Sequence, residues 1–361
     1  MTANYQIWVL NDDYSKRALL ANAGNTRTWS RLYYRQALND IGSCSVDLIP
    51  NSVKISDLAL GRRLQVIRDG VTVWAGMILR EEWNLFEEAP AGDTYQIHAL
   101  DYGVWADWRD VVPAAGQEYD QRVDHADDLA KAYVYYHAGA GAAAARQTAG
   151  LTVQADAHAA SSITEQARYD NLLTELKALG QKGAFRWRFV PGASGAEFKT
   201  ALIWGLDRTQ GNGVNAECVL SLDRRNVSRM SYTNDVLAHR NYIYVAGQGE
   251  GKDRTVVERS NATYITAYKR RESFVDARDL SATASLNTRG DGKLVEMKPL
   301  TVMSAVPKLG TWKTLWDLGD YVTLNANRYG RTFTTDAEIM AVRVEIYSNE
   351  IEHVTPEMAA I

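Results

Sequence analysis

Apolar and polar positions alternate with a period of two through most of the first hundred residues, as in half-buried strands. Tyr5, Ile7 and Val9 take one face of the first run, and Gln6, Trp8 and Leu10 the other. In the next run Trp29, Arg31, Tyr33 and Arg35 share a face, while Leu32 and Tyr34 point the opposite way. Residues 43–49 repeat the pattern with Cys44, Val46 and Leu48 on one side. Residues 64–68 and 71–79 flank Asp69-Gly70, a hairpin turn signal because glycine accepts positive φ at little cost. Residues 94–100 supply a sixth strand. Six short strands within residues 1–112 predict a small antiparallel β-barrel, because closing a sheet removes its edges. A helical plug is expected at 55–60 and a helical turn at 102–108.

The pattern changes over residues 113–215, which read as an inserted α/β domain. Asp124, Asp127 and Asp128 precede Leu129, Ala130, Tyr133 and Val134, as in a helix whose first-turn carboxylates oppose the positive end of its dipole. The alanine–glycine tract at 139–145 reads as a loop or frayed helix end. Ser162-Ile-Thr-Glu165 has capping-box spacing ahead of Leu172, Leu173, Leu176 and Leu179, with Gly180 and Gly183 as stop signals. Phe185, Trp187 and Phe189 alternate with Arg186 and Arg188 in a strand whose partner is 197–204, across a turn at 191–195.

Residues 216–361 return to strands, at 217–222, 227–233, 241–246, 255–258, 299–306, 321–326 and 336–348. A helical segment near 279–296 is interrupted at Gly290 and Gly292, and 352–361 read as a tail. This part predicts a second barrel carrying a helical insertion at about 260–297. The expected fold class is mainly β with α+β insertions, comprising two small antiparallel β-barrel domains plus smaller α/β domains.

At 361 residues the chain can bury more than one core without staples. Its 19 tyrosines and 10 tryptophans against 6 phenylalanines favour aromatics with a polar edge, which suit half-buried strands and subunit interfaces. A net charge of −4 shows no excess of the basic residues that a duplex-DNA binder normally concentrates to displace counterions. Cys44 and Cys218 form no disulfide framework, and Cys44 reads as a small buried hydrophobe. Neither a signal peptide nor a membrane span is expected.

Five segments, in order along the chain, carry a family resemblance. They are Gly61-Arg-Arg-Leu-Gln-Val-Ile-Arg-Asp-Gly70 followed by Trp74-Ala-Gly-Met-Ile78; Gln166-Ala-Arg-Tyr-Asp-Asn-Leu-Leu173; Tyr244-Val-Ala-Gly-Gln-Gly-Glu-Gly-Lys-Asp-Arg-Thr-Val-Val-Glu258; Arg270-Arg-Glu-Ser-Phe-Val-Asp-Ala-Arg-Asp-Leu-Ser281; and Leu318-Gly-Asp-Tyr-Val322. Together these resemble the baseplate or tail-tip hub proteins of siphophages. The resemblance implies tail-tube-like barrels and a structural role in the virion tail, with no chemistry of its own. It further implies a homotrimer whose six barrels form a pseudo-sixfold ring. The partners implied are distal tail or tail-tube proteins on one side and tip or fibre proteins on the other. DNA would pass through without specific binding. Wall-cleaving or receptor-binding extensions of larger relatives are not expected within this sequence.

Candidate chemistry is weighed against that expectation. Gly247-Gln-Gly-Glu-Gly-Lys252 is glycine-rich like a phosphate loop, but Asp-Arg-Thr-Val-Val follows rather than a helix, so a long hairpin loop is expected. Asp124, His125 and Asp128 could gather a metal on a helix face, yet no second histidine or cysteine cluster is visible to join them; a solvated first turn is expected. Gly-x-Ser-x-Gly and His-Glu-x-x-His are absent. Arg289-Gly-Asp291 is read as a helix break rather than a recognition tripeptide. The arginine–aromatic alternation at 29–35 and 185–188 is read as surface or interface rather than a single-strand nucleic-acid platform. No catalytic, cofactor or metal residue is therefore expected. Trp29 and Tyr33 are the candidate subunit contacts, the alternative being that they cap the chain's own core or face water. A cell-envelope glycan hydrolase, a receptor- or carbohydrate-binding tip module and a hexameric distal tail adaptor stand as alternatives.

Overall fold

The computed structural model describes residues 3–21, 28–49, 55–87, 93–278, 280–347 and 351–361. The chain divides into two compact units: the first runs to Met230 and resumes from Ala305 to Ala359, and the second is Ser231–Ser304.

The first unit opens with β1 (Tyr5–Leu10), β2 (Lys16–Ala21), β3 (Trp29–Ala37), β4 (Ser43–Leu48), β5 (Arg63–Arg68), β6 (Val71–Asn84) and β7 (Thr94–Asp101). Between β5 and β6, Asp69 and Gly70 both hold positive φ (49° and 82°), as a tight hairpin matched to strand twist requires. β2 is missed by the sequence reading because Lys-Arg-Ala-Leu-Leu-Ala does not alternate cleanly. The helical turns appear as a 3-10 turn at Ile55–Asp57 and as α1 (Val104–Asp107).

Next come β8 (Asp120–His125), α2 (Ala126–His137), β9 (Leu151–Val153), β10 (Ser162–Ala167), α3 (Leu172–Lys182), β11 (Arg186–Gly192), β12 (Gly195–Ala201), β13 (Asp207–Arg208) and β14 (Val219–Ser221). The capping-box reading is corrected here: Ser162–Ala167 is a strand paired with β8, and α3 is capped by Asn171, whose side chain accepts from the Thr174 N–H (3.2 Å). Gly180 lies inside α3, against the Trp187 ring, instead of ending the helix; Gly183 does end it. β11 and β12 pair across the expected turn. α2 and α3 close over a core that includes Leu129, Tyr133, Leu172, Leu176, Trp187 and Phe198. Burying each leucine contributes on the order of 2 kcal/mol. The Trp187 indole N–H is satisfied by the Leu176 carbonyl at 2.9 Å.

β15 (Val227–Asp235) leads into the second unit, which holds β16 (Tyr242–Ala246), β17 (Val256–Ser260), α4 (Ala262–Tyr268), β18 (Glu272–Asp276) and α5 (Thr283–Glu296). β16 is central, antiparallel to β17 and parallel to β18, and α5 covers Ile243 and Val245 through Leu286. α5 begins later than expected (Asp279 lies outside the described residues) and runs unbroken through Arg289-Gly-Asp291. Gly290 belongs there because a Cβ would stand 2.9 Å from Val245 Cγ2 and 2.5 Å from Arg259 Cγ. Asp291 accepts both Arg259 donors at 2.7 and 2.9 Å. β19 (Leu300–Pro307) pairs with β15 and returns the chain to the first unit.

The last strands are β20 (Tyr321–Arg328), β21 (Arg331–Tyr347) and β22 (Glu352–Ala360), so the expected tail is a strand. β21 pairs with β20 along one half and with β3 along the other, from Ala341 opposite Ala37 to Tyr347 opposite Arg31. One twelve-stranded sheet results, ordered β13-β20-β21-β3-β4-β7-β6-β5-β1-β2, with β14 beside β20 and β22 beside β21. Strands from 1–112 and from 216–361 thus share a sheet, whose order runs from β13 to β2 without closing among the described residues. The protein is mainly β with few helices. No described helix is long and apolar enough to cross a membrane.

Candidate functional site

Two regions of the first unit gather functional side chains. One is the face of β3. Trp29 stands opposite Leu48 and Arg31 opposite Asp47, so Ser30 is an extra, bulged residue. The bulge returns Trp29 to the buried set with Leu32 and Tyr34, and 3% of its surface stays exposed. Simple alternation placed Trp29 on the same face as Tyr33; the bulge removes that equivalence. Tyr33 is half-buried and borders a groove of about 290 Å³ with Leu79, His98 and Leu100.

The charges on this face are matched. Arg31 donates to Glu345 (2.6 Å), and Arg35 donates to both Glu357 oxygens (2.9 and 3.0 Å) and to Asp40 (3.1 Å). Arg343 donates to Glu357 as well (2.6 Å). The Arg35 hydrogen bond, opposed by burial, holds the Glu357 carboxyl below its ordinary range. Arg186 binds the fully buried Glu338. Arg188 is buried beside Asp101, so the arginine–aromatic alternation is not a bare cationic platform.

The second region surrounds the start of α2. β8 extends through His125, so Asp124 and His125 belong to a strand end and only Asp127 and Asp128 to the helical first turn. That turn is not solvated as expected: Asp127 and Asp128 are 1% and 2% exposed. Their oxygens receive the loop before β10. Ala157 and His158 N–H donate to Asp128 (3.0 and 2.9 Å), and Ala160 N–H donates to Asp127 (2.9 Å). Lys131, also buried, donates to Asp128 at 2.8 Å and stands 3.5 Å from Asp127. Burial pushes the Asp128 carboxyl up, but Lys131 and the two amides outweigh it and leave the group below its ordinary value.

This clamp brings in His158, thirty-odd positions along the chain. Its backbone holds positive φ (50°), and its Nδ1 lies 2.7 Å from Asp128 Oδ2. Ligand-capable atoms of Asp124, His125 and His158 all lie within 4.8 Å of one another. The sequence reading found Asp124, His125 and Asp128 but missed His158, for which no linear spacing gives a signal. It also passed over Lys131, whose signal was its place three and four residues after Asp128 and Asp127 on a helix.

Elsewhere, the glycine-rich segment is a hairpin loop joining β16 to β17. Gly247 N–H donates to Thr255 O (2.8 Å), and Arg254 folds back onto the Gly247 carbonyl (2.7 Å). Only a 3-10 turn at Gly251–Asp253 separates it from β17, so no α-helix aligns its amides for phosphate. Cys44 and Cys218 are both buried free thiols. Burial pushes Cys218 up to about 12, which keeps it protonated.

Residues 6–358 match a protein-family model described as Siphovirus ReqiPepy6 Gp37-like protein. Several solved structures share the fold almost end to end. A tail protein from Neisseria meningitidis MC58 is 15% identical, with 100% of this chain and 97% of that chain covered and a TM-score of 0.60. The 43 kDa tail protein of prophage MuSo2 from Shewanella oneidensis is 10% identical, with coverage of 99% and 98% and a TM-score of 0.63. Prophage tail protein gp18 from Listeria monocytogenes EGD-e is 13% identical, with coverage of 98% and 94% and a TM-score of 0.54. No curated protein sequence matches.

Proposed function

This chain belongs to the Siphovirus ReqiPepy6 Gp37-like family of siphovirus tail proteins, and from that premise we propose that it is the hub of a tail tip or baseplate. Its place is the virion tail and its role is structural. Three copies assemble into a pseudo-sixfold ring, because each chain supplies two strand-rich modules, residues 1–112 and 216–361. The ring joins a sixfold tube to a threefold tip and leaves a passage for DNA. Residues 113–215 and about 260–297 brace it.

The observation that carries this reading is the likeness to tail proteins over nearly the whole length of both chains. Physical features agree with it. The sheet order ends at β2, and an end strand can be continued by a neighbouring chain. Half-buried Tyr33 stands beside paired arginines, a composition favoured at interfaces. Trp29 contributes by fixing β3 from its buried side.

Native mass measurement with negative-stain imaging of the purified protein tests the proposal. Three-copy rings are the expected result, and Tyr33→Glu should shift the population towards monomer. Six-copy rings would replace the hub with a distal adaptor. A monomer that binds glycans or cleaves cell-wall material would replace it with a recognition module or hydrolase.

A further inference from the structure

We propose that Asp124, His125 and His158 form a binding site for one borderline divalent transition-metal ion of the zinc class. The proposal stands on the local geometry and is independent of the assembly reading above.

Both imidazoles have an oxygen at Nδ1: His125 Nδ1 meets the Ala160 carbonyl, and His158 Nδ1 meets Asp128 Oδ2 at 2.7 Å and stands 3.9 Å from Asp124 Oδ1. A ring that donates from Nδ1 presents the lone pair of Nε2, the form in which a histidine ligates a metal. His158 backed by a buried carboxylate is the carboxylate–histidine pairing that orients and strengthens such ligands. The Asp124 carboxylate supplies the third donor.

The spacing also fits. Ligands around a tetrahedral zinc stand roughly 3.3 Å apart, from bond lengths near 2.0 Å. One ligand-capable atom of each residue lies within 4.8 Å of the other two, and the His158 side chain, 62% exposed with Nδ1 3.9 Å from Asp124 Oδ1, can turn Nε2 inward. The backing is rigid. Ala126 N–H donates to Ser161 O (3.0 Å), β8 and β10 pair as far as His125 opposite Ser162, and Asp127 and Asp128 hold the loop amides. Charge favours a cation: three carboxylates, Asp124, Asp127 and Asp128, face a single ammonium, Lys131. This offsets the positive end of the α2 dipole. Two nitrogen donors among three select zinc-like ions over magnesium or calcium, which prefer oxygen. Three protein ligands leave a position for water or for a group on a neighbouring molecule.

The test is calorimetric titration of ZnCl2 into untagged, metal-stripped protein, repeated with MgCl2 and followed by the Co2+ absorption spectrum. One zinc per chain is expected, with no comparable magnesium binding and a tetrahedral Co2+ band. His158→Ala, at an exposed side chain, should weaken zinc by at least about ten-fold while leaving the circular dichroism spectrum unchanged. Asp124→Asn should weaken it similarly. His353→Ala, at a histidine far along the chain, should change nothing. Absence of zinc binding, or affinity unaltered by both His158→Ala and Asp124→Asn, overturns the proposal.

Discussion

Asp101 sits 4% exposed at the end of β7, its oxygens taking the N–H groups of Gly42 (2.7 Å) and Gly103 (2.9 Å). Burial pushes its carboxyl up to about 7, against the opposing pull of Arg188 and the two amides. The folded chain therefore holds this proton more tightly than the unfolded chain, whose aspartate titrates near 3.8. Its stabilising contribution is complete below about pH 4 and is lost as pH rises through about 7. Asp101→Asn cannot ionise. Urea midpoints measured from pH 4 to 7 should fall less steeply in the variant than in the parent; equal slopes would remove Asp101 from the account. Trp29 teaches the complementary lesson at this scale. Residue type marked it as a large aromatic in a strand, but one bulged serine decided which face it takes, and a bulge leaves no periodic trace in sequence.

Among elements, β11 and β21 are joined by an arginine bound to a fully buried carboxylate. Glu338 is 0% exposed and receives Arg186 through Nε at 2.8 and 2.9 Å and through Nη2 at 2.5 Å. Arg186→Ala strands a buried carboxylate and should cost about 3–5 kcal/mol, read as a lower denaturant midpoint. Replacing both partners by leucine should cost far less, because no charge is then left unpaired. The elements joined here were themselves legible: 185–189 alternates, and 336–348 reads as a strand. α3 was legible by its leucines, while its start was misjudged. Ser162-Ile-Thr-Glu165 satisfies the capping spacing, yet pairing with β8 claims those backbone groups first. Asn171, directly before Leu172, was the better signal.

For the first unit as a whole, the C-terminal strand ties together residues distant in sequence. Glu352 takes two donors from Arg68 (2.6 and 3.0 Å) and the Tyr5 hydroxyl (2.5 Å), while Glu357 joins Arg35 and Arg343. Tyr5 and Tyr34 hydroxyls lie 3.2 Å apart beneath these pairs. Deleting residues 352–361 removes both carboxylates and a strand of the large sheet, and should lower the melting temperature by about 5 °C or more. A melting curve unchanged by the deletion would show the strand to be dispensable. Read from the sequence, this segment had no side-chain partner in view, because Tyr5, Arg35 and Arg68 lie 347, 322 and 284 residues from the groups they meet.

Period-two alternation, Asp69-Gly70 and the leucine spacing of α3 determined by themselves that the chain is mainly β, where the β5–β6 hairpin turns and which helix covers the inserted core. These follow from neighbours in sequence, and the family segments are likewise local strings. Tertiary structure alone decided that β3 joins β21, that Ser30 bulges, and that His158 stands beside Asp124 and His125. Each depends on backbone groups and carboxylates meeting across large separations, where the entropy of loop closure is offset only by contacts that no single segment contains.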